Sequence, residues 1–160
     1  MANQKNRNRN GNRKIVLASG VFDLLHLGHV KFLEEAKRAG GENAQLVVII
    51  ARDQTVEQIK RRKPIMPESQ RKTLVESLKV VDLAVLGFEN MAIAEMVTKI
   101  KPDVIALGYD QENMAQDVEA YLKEHNFCVQ LVRVGKFEAD TLDSSSKIKQ
   151  KIVEKFPHDC

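Results

Sequence analysis

Residues 15–29 read IVLASGVFDLLHLGH, and the fold is decided there. Ile15–Ala18 is a short continuous apolar run, the pattern of a strand covered on both faces. Gly20 interrupts it, and past His29 the apolar residues recur at helical spacing. A strand therefore runs into a glycine-punctuated turn and then a helix, with His26 and His29 where the helix begins. The first turn of a helix leaves backbone N–H groups without intrahelical acceptors. Imidazoles gathered at such a point suit the binding of a polyphosphate.

Outward from this stretch the same alternation continues. Further strand-like runs are Leu46–Ala51, Leu83–Leu86, Val104–Leu107 and Phe127–Val134. Between them lie helical faces: Val30, Leu33 and Ala36, ended by Gly40-Gly41; Leu74, Val75 and Leu78, begun near Pro67; and Ile93, Met96, Val97 and Ile100, closed by Pro102. Met114, Val118, Tyr121 and Leu122 form a fourth face, and Ile148, Ile152, Val153 and Phe156 a fifth. Strands alternating with helices predict an α/β fold: a Rossmann-like, doubly wound, parallel five-stranded sheet with helices on both faces, in a single three-layer domain over residues 14–156. Ligands of such sheets bind beyond the carboxyl ends of the strands.

The composition narrows the function classes. At 160 residues, 43% hydrophobic and 29% charged, the chain reads as an ordinary soluble protein with no membrane span and no signal peptide. Cys128 and Cys160 lie far apart, which suits a reducing, cytoplasmic compartment and leaves Cys160 in a C-terminal tail, 157–160. The net charge of +3 is a property of the other end. Lys5, Arg7, Arg9, Arg13 and Lys14 stand there without an acid, so residues 1–13 read as a disordered basic tail. Without those five the chain has 20 basic against 22 acidic residues, a body near −2. Such a body argues against nucleic acid as the partner.

Which phosphate site does the first turn make? The dinucleotide fingerprint Gly-x-Gly-x-x-Gly and the P-loop are both missing after the first strand. The three-residue spacing of His26 and His29 puts both imidazoles on one side of a helical turn. Gly28 removes a side chain where a phosphate or ligand backbone would approach. A zinc half-site is the alternative, but it needs more ligands, and only His125, His158 and the two cysteines remain. Plain helix capping is the other.

Gly20-x-Phe22-Asp23-x-x-His26-x-Gly28-His29 resembles the signature of the HxGH nucleotidyltransferases, in their cytidylyltransferase-like branch, and the resemblance spans nearly all of 14–156. It implies that Gly20, Val21, Phe22, Asp23, His26, Leu27, Gly28 and His29 bind a nucleotide, with His26 and His29 stabilising the departing pyrophosphate. Asp143-Ser144-Ser145-Ser146-Lys147 resembles the family's second signature, with Ser145 as a catalytic candidate; hydroxyls and free N–H groups at a helix start again suit an anion. Lys60-Arg61-Arg62-Lys63-Pro64 is a cationic loop able to clamp phosphates, and Arg71 matches an arginine of many relatives; Lys63 and Arg71 are the catalytic candidates there. Gly108, Asp110 and Gln111 lie where relatives hold the nucleotide base.

The implied chemistry needs no nucleophilic side chain. A phosphate oxygen of the acceptor attacks the α-phosphorus of a nucleoside triphosphate, and the enzyme orients two anions and spreads charge. Mg²⁺ or another divalent cation is expected, held mainly by the nucleotide phosphates, with no metal ligand assigned to the chain. Glycerol-3-phosphate cytidylyltransferases are similar in layout, but their Arg-Thr-x-Gly-Ile-Ser-Thr-Thr run is replaced here by Ala139 to Ser146. Archaeal-type FAD synthases are more similar, through Ala51-Arg52-Asp53-x-Thr55-Val56, Arg62-Lys63-Pro64-Ile65, Gly108-x-Asp110-Gln111 and the terminal Cys160. Val21 stands where relatives more often have threonine. This resemblance implies ATP and FMN as substrates, Arg52, Asp53 and Phe137 as acceptor contacts, Phe137 or Tyr109 as a stacking surface for the flavin, and a homodimer. A catalytically silent nucleotide-binding module is the alternative from another class; intact His26 and His29 argue against it.

Overall fold

The computed structural model describes residues 13–88, 92–137 and 142–156. The elements run β1 (Ile15–Gly20), α1 (Leu27–Ala39), β2 (Gln45–Ile50), α2 (Asp53–Lys60), α3 (Glu68–Glu76), β3 (Leu83–Leu86), α4 (Ile93–Ile100), β4 (Val104–Gly108), α5 (Glu112–Glu124), β5 (Gln130–Val134) and α6 (Ser145–Lys155). The five strands form one parallel sheet in the order β3-β2-β1-β4-β5. The predicted doubly wound α/β architecture is therefore the observed one. Both predicted tails fall mostly outside the described residues.

The register explains why the strands read as unbroken apolar runs. Val16 lies beside Leu46 and Val104, and Ala18 beside Val48 and Ala106; these pack with Leu33 and Ala36 of α1 and Val75 of α3. Leu17, one residue out of phase, lies beside Val47 and Ile105 on the other face, with Met96 and Val97 of α4 and Ala115, Val118 and Leu122 of α5. Each fully buried aliphatic side chain contributes about 1.5–3 kcal/mol. Among the described residues no helix is long and apolar enough to cross a membrane.

Three expectations need correction. The connection from β2 to β3 holds two helices, and α2 is the one missed; its short span and the charges at Lys60 to Lys63 gave little apolar period. Strand β5 begins at Gln130, since Phe127 closes the turn after α5 by donating its N–H to the Leu122 carbonyl at 2.9 Å. The apolar face of α6 does not enter the core: Ile152, Val153 and Phe156 are exposed, and no residue of that helix is buried.

The chain winds leftward from β1 through β2 to β3, then crosses back to β4 and β5. The carboxyl ends of β1 and β4 therefore flank the switch point where the windings part. The β1–α1 turn and the loop after β4 open there.

Candidate active site

The β1–α1 turn is held in a costly shape. Phe22 and Leu24 have φ of 55° and 56°, a left-handed conformation that costs a non-glycine residue about 1–3 kcal/mol. The surroundings impose it. Asp23 is buried, and its carboxylate accepts the Ile65 and Met66 N–H groups, each at 3.0 Å, with Lys149 Nζ at 3.3 Å. Burial pushes this carboxyl up, but those hydrogen bonds outweigh it and hold its pKa below the usual value. Arg71 donates to the Val21 carbonyl at 2.6 Å, and the Ser145 hydroxyl donates to the Asp23 carbonyl. Gly20 makes room for the Phe22 ring, which a Cβ there would meet at 2.8 Å. That ring in turn lies 5.2 Å from His29.

His26 is the N-cap of α1 and His29 lies one turn on. Their rings stack, with centroids 3.7 Å apart and planes 25° from parallel. The His26 backbone N–H points at His29 Nδ1 over 3.4 Å, which makes Nδ1 an acceptor and puts the proton of neutral His29 on Nε2. Burial, then His26 and then Lys60, push the His29 pKa down to about 3, against a small opposing pull from Asp23. Burial also lowers the His26 pKa, and Asp143 opposes it. Two stacked imidazoles at a helix mouth are thus neutral donors at neutral pH.

These groups line a cleft of about 1340 Å³ at the carboxyl edge of the sheet. One wall carries Lys60, Arg62 and Lys63 from the end of α2 and the following loop; the other carries Arg133 and Lys136 from β5 and its extension. Lys149 of α6 also lines it, as do Ser144, Ser145 and Ser146. Gly108, Tyr109 and Asp110 follow β4 at the far end, with Phe137 nearby. Gln111 ties the floor together: its Oε1 accepts the Gly108 N–H at 2.7 Å and its Nε2 donates to the Ser19 carbonyl at 3.2 Å.

The structure gathers most residues expected from sequence: Gly20, Val21, Phe22, Asp23, His26, Gly28, His29, Lys63, Gly108, Asp110, Gln111, Phe137 and the three serines all line this cleft. Five others do not line it, each for a visible reason. Arg71 is wholly buried, spending its guanidinium on the Val21 and Met66 carbonyls and on Asp53. It stands four residues before buried Val75, the helical spacing that marks an inward face. Arg52 and Asp53 belong to the same lock: Asp53 and Glu68 each accept the other's backbone N–H, cross-capping α2 and α3, and Arg52 holds the Gly87 carbonyl and Glu68. Lys147 turns to Asp143 at 2.6 Å, and Leu27 lies half-exposed beside the site. Gly28 is also corrected in part. The group a Cβ there would strike, at 2.6 Å, is the chain's own Asp143 carbonyl.

Sequence reasoning missed Lys149, Arg133 and Lys136. Lys149 was legible, since it lies four residues past Ser145 on one helix face. Arg133 and Lys136 stand at the carboxyl end of β5, the end where a ligand is expected, but no motif singles them out. Among the described residues no group of three or more His, Cys, Asp or Glu side chains is placed to hold a metal ion.

Comparison with known proteins places these observations among relatives. A family model described as cytidylyltransferase-like matches residues 17–151. The FAD synthase of Methanopyrus kandleri is 45% identical over 141 residues, covering 88% of this chain and 93% of its own. That of Ferroglobus placidus is 48% identical over 140 residues, covering 88% of each chain. A solved structure of a lipopolysaccharide core biosynthesis protein from Thermoplasma volcanium is similar with TM-score 0.71 and 39% identity, covering 79% of this chain and all of that one. Pantothenate synthetase from Thermus thermophilus, at 17% identity, TM-score 0.57 and coverage of 86% and 64%, is similar in fold alone.

Proposed function

This chain belongs to the cytidylyltransferase-like family, and from that membership we infer that it is an FMN adenylyltransferase. It transfers AMP from ATP to FMN, making FAD and releasing pyrophosphate. The observation that carries the reading is the stacked His26–His29 pair at the mouth of α1, opening on a cationic cleft in a chain that archaeal FAD synthases match along nearly nine-tenths of its length.

In this reading an oxygen of the FMN phosphate attacks the α-phosphorus of ATP. The bond from the α-phosphorus to the bridging oxygen breaks, and the electron pair leaves with pyrophosphate. His29 donates from Nε2 and His26 from the face beside it, while the unpaired N–H groups of α1 add the positive end of the helix dipole. Both imidazoles stay neutral, so they hydrogen-bond the leaving group without giving it a proton. Lys60, Arg62, Lys63 and Lys149 spread the charge of four phosphoryl groups, three of ATP and one of FMN. Arg71 and Asp23 act by holding the β1–α1 turn. The turn at Gly108 and Asp110 receives the base, and Tyr109 and Phe137 offer aromatic surface for the flavin.

Nucleotidyltransferases in general use a divalent cation. The described residues form no carboxylate cage: Asp23 spends both oxygens on Ile65, Met66 and Lys149. We propose that the cation enters as part of the substrate, held mainly by the phosphates of ATP, where it would neutralise part of their charge. A cytoplasmic site of action and a homodimer complete the reading, the latter checked by light scattering.

The test is the purified full chain with Mg²⁺, ATP and FMN, followed by pyrophosphate release and chromatography of the product. FAD is expected. CDP-glycerol from CTP and glycerol 3-phosphate, with no FAD from ATP and FMN, overturns the reading.

A further inference from the structure

One flank of α1 has no helix against it. Lys31, Phe32, Glu35, Arg38 and Ala39 recur at three- and four-residue spacing, so they share one side of the helix. All five line the cleft, and so do Val132 and Val134 of β5. Val134 belongs to the core cluster on the α1 side of the sheet, and Val132 packs against it. On that side α1 and α3 supply the buried helical residues, and α6 supplies none. The edge strand β5 is thus left with a groove beside it, Phe32 and Ala39 on one wall, Val132 and Val134 on the other.

The groove opens into the site. Phe32 stands three residues past His29, about 4.5 Å of helix rise. Its ring reaches the end of β4, since a Cβ on Gly108 would meet Phe32 Cε2 at 3.8 Å. From Phe32 to Ala39 the wall runs on for about 10 Å. Phe137 beyond β5 and Tyr109 beyond β4 stand at the end where the groove joins the cleft.

We propose that this groove takes the isoalloxazine ring of FMN, with Phe32 as the specificity-determining side chain. The assignment rests on the reading of the chain as an FMN adenylyltransferase and names where its acceptor lies. Length favours the flavin, because two turns of helix suit a three-ring plate and exceed what a purine fills. Chemistry favours it too. The near walls are aromatic and aliphatic, while Glu35 and Arg38 pair with each other toward the far end. They set an acceptor and a donor side by side, as the imide edge of a flavin does with its N–H and carbonyl oxygens. A ring beside Phe32 leaves the ribityl chain to run back up α1, which brings the FMN phosphate to His26 and His29. Adenine keeps the turn at Gly108 and Asp110.

The experiment uses the full chain with labelled valine methyl groups. FMN is added alone and with an α,β-methylene analogue of ATP, which cannot be cleaved at the reacting bond. A flavin in the groove moves the Val132 methyl signals by its ring current, and the ATP analogue by itself is expected to leave them in place. In parallel, Phe32→Ala weakens FMN binding about tenfold, read by quenching of flavin fluorescence, and raises KM for FMN with it. KM for ATP stays within about twofold, a split that general loss of structure does not produce. Val132→Glu puts a carboxylate where the ring would have to bury it, and weakens FMN binding by about tenfold or more. Val132 signals that FMN leaves unmoved overturn the proposal. So does a Phe32→Ala loss that falls on ATP and spares FMN, which puts adenine in the groove. Should Phe32→Ala fail to fold, Val132→Glu and the wild-type spectra decide. A wild type that makes FAD with the Val132 signals unmoved refutes the groove alone; one that makes no FAD and binds no FMN refutes the functional reading as well.

Discussion

Replacing Arg71 by methionine separates a structural reading of this residue from a catalytic one. The guanidinium is 0% exposed and donates to the Met66 carbonyl at 3.0 Å, the Val21 carbonyl at 2.6 Å and Asp53 Oδ1 at 2.6 Å. Methionine keeps the stem and removes the donors. Water does not reach this position to replace them, so two carbonyls lose their partner at about 1–3 kcal/mol each. The Asp53 arm adds little, because that side chain is 41% exposed and its charge is screened. The sum is a loss of about 2–6 kcal/mol, or a fall in Tm of roughly 4–24 °C for a chain of this size. Urea unfolding at constant m value reads the first, calorimetry the second. Turnover falls too, since the Val21 carbonyl belongs to the strained turn that carries Asp23 to His26. Arg71→Lys reaches at most one or two of the three partners and falls between. An unchanged unfolding midpoint with turnover abolished refutes this reasoning and returns Arg71 to the substrate.

Other perturbations probe separate parts of the site. His29→Ala is expected to lower kcat about 10²–10³-fold while the chain stays folded, because its Nε2–H meets developing charge; near-normal turnover in a pyrophosphate-release assay counts against the pair as the leaving-group site. Gly28→Ala drives a Cβ to 2.6 Å from the Asp143 carbonyl, so backbone must move; a loss of about 1–3 kcal/mol in urea and a lower kcat are expected, and an unaltered urea curve contradicts the packing described. Stability also depends on pH in a stated direction. His29 binds a proton near 6.5 when unfolded and near 3 when folded, so between these values the unfolded chain holds the extra proton. Stability is therefore full above pH 6.5 and falls as the pH drops toward 3, by at most about 1.4 kcal/mol per pH unit, with His26 acting in the same sense. His29→Gln should flatten that slope in denaturant titrations across the window; an equally steep slope in the variant removes His29 as its cause.

What one dimension carried was period and punctuation. Val16 to Ala18, Leu46 to Ile50 and Val104 to Leu107 each fill both faces of a strand, so their unbroken apolar character announced a sheet covered on two sides. Gly20, His26, Gly28 and His29 sit within ten residues, and such spacing survives into three dimensions because the strand end and helix start are local. The direction of a longer side chain is not local. Arg71 and Lys63 are both cations in one stretch of sequence, yet one lines the cleft and the other is sealed inside. Only the packing of α3 against the β1–α1 turn separates them. The apolar spacing of α6 promised a buried face, but that helix is tethered by Ser145 and Lys149 to Asp23, with Ile152 and Val153 left outside. Asp143 is the sharpest instance. It lies more than a hundred residues from His26, and no pattern in the chain links them. Closing the last helix over the first turn brings them to the same glycine, because long-range neighbours are chosen by which surfaces exclude water together.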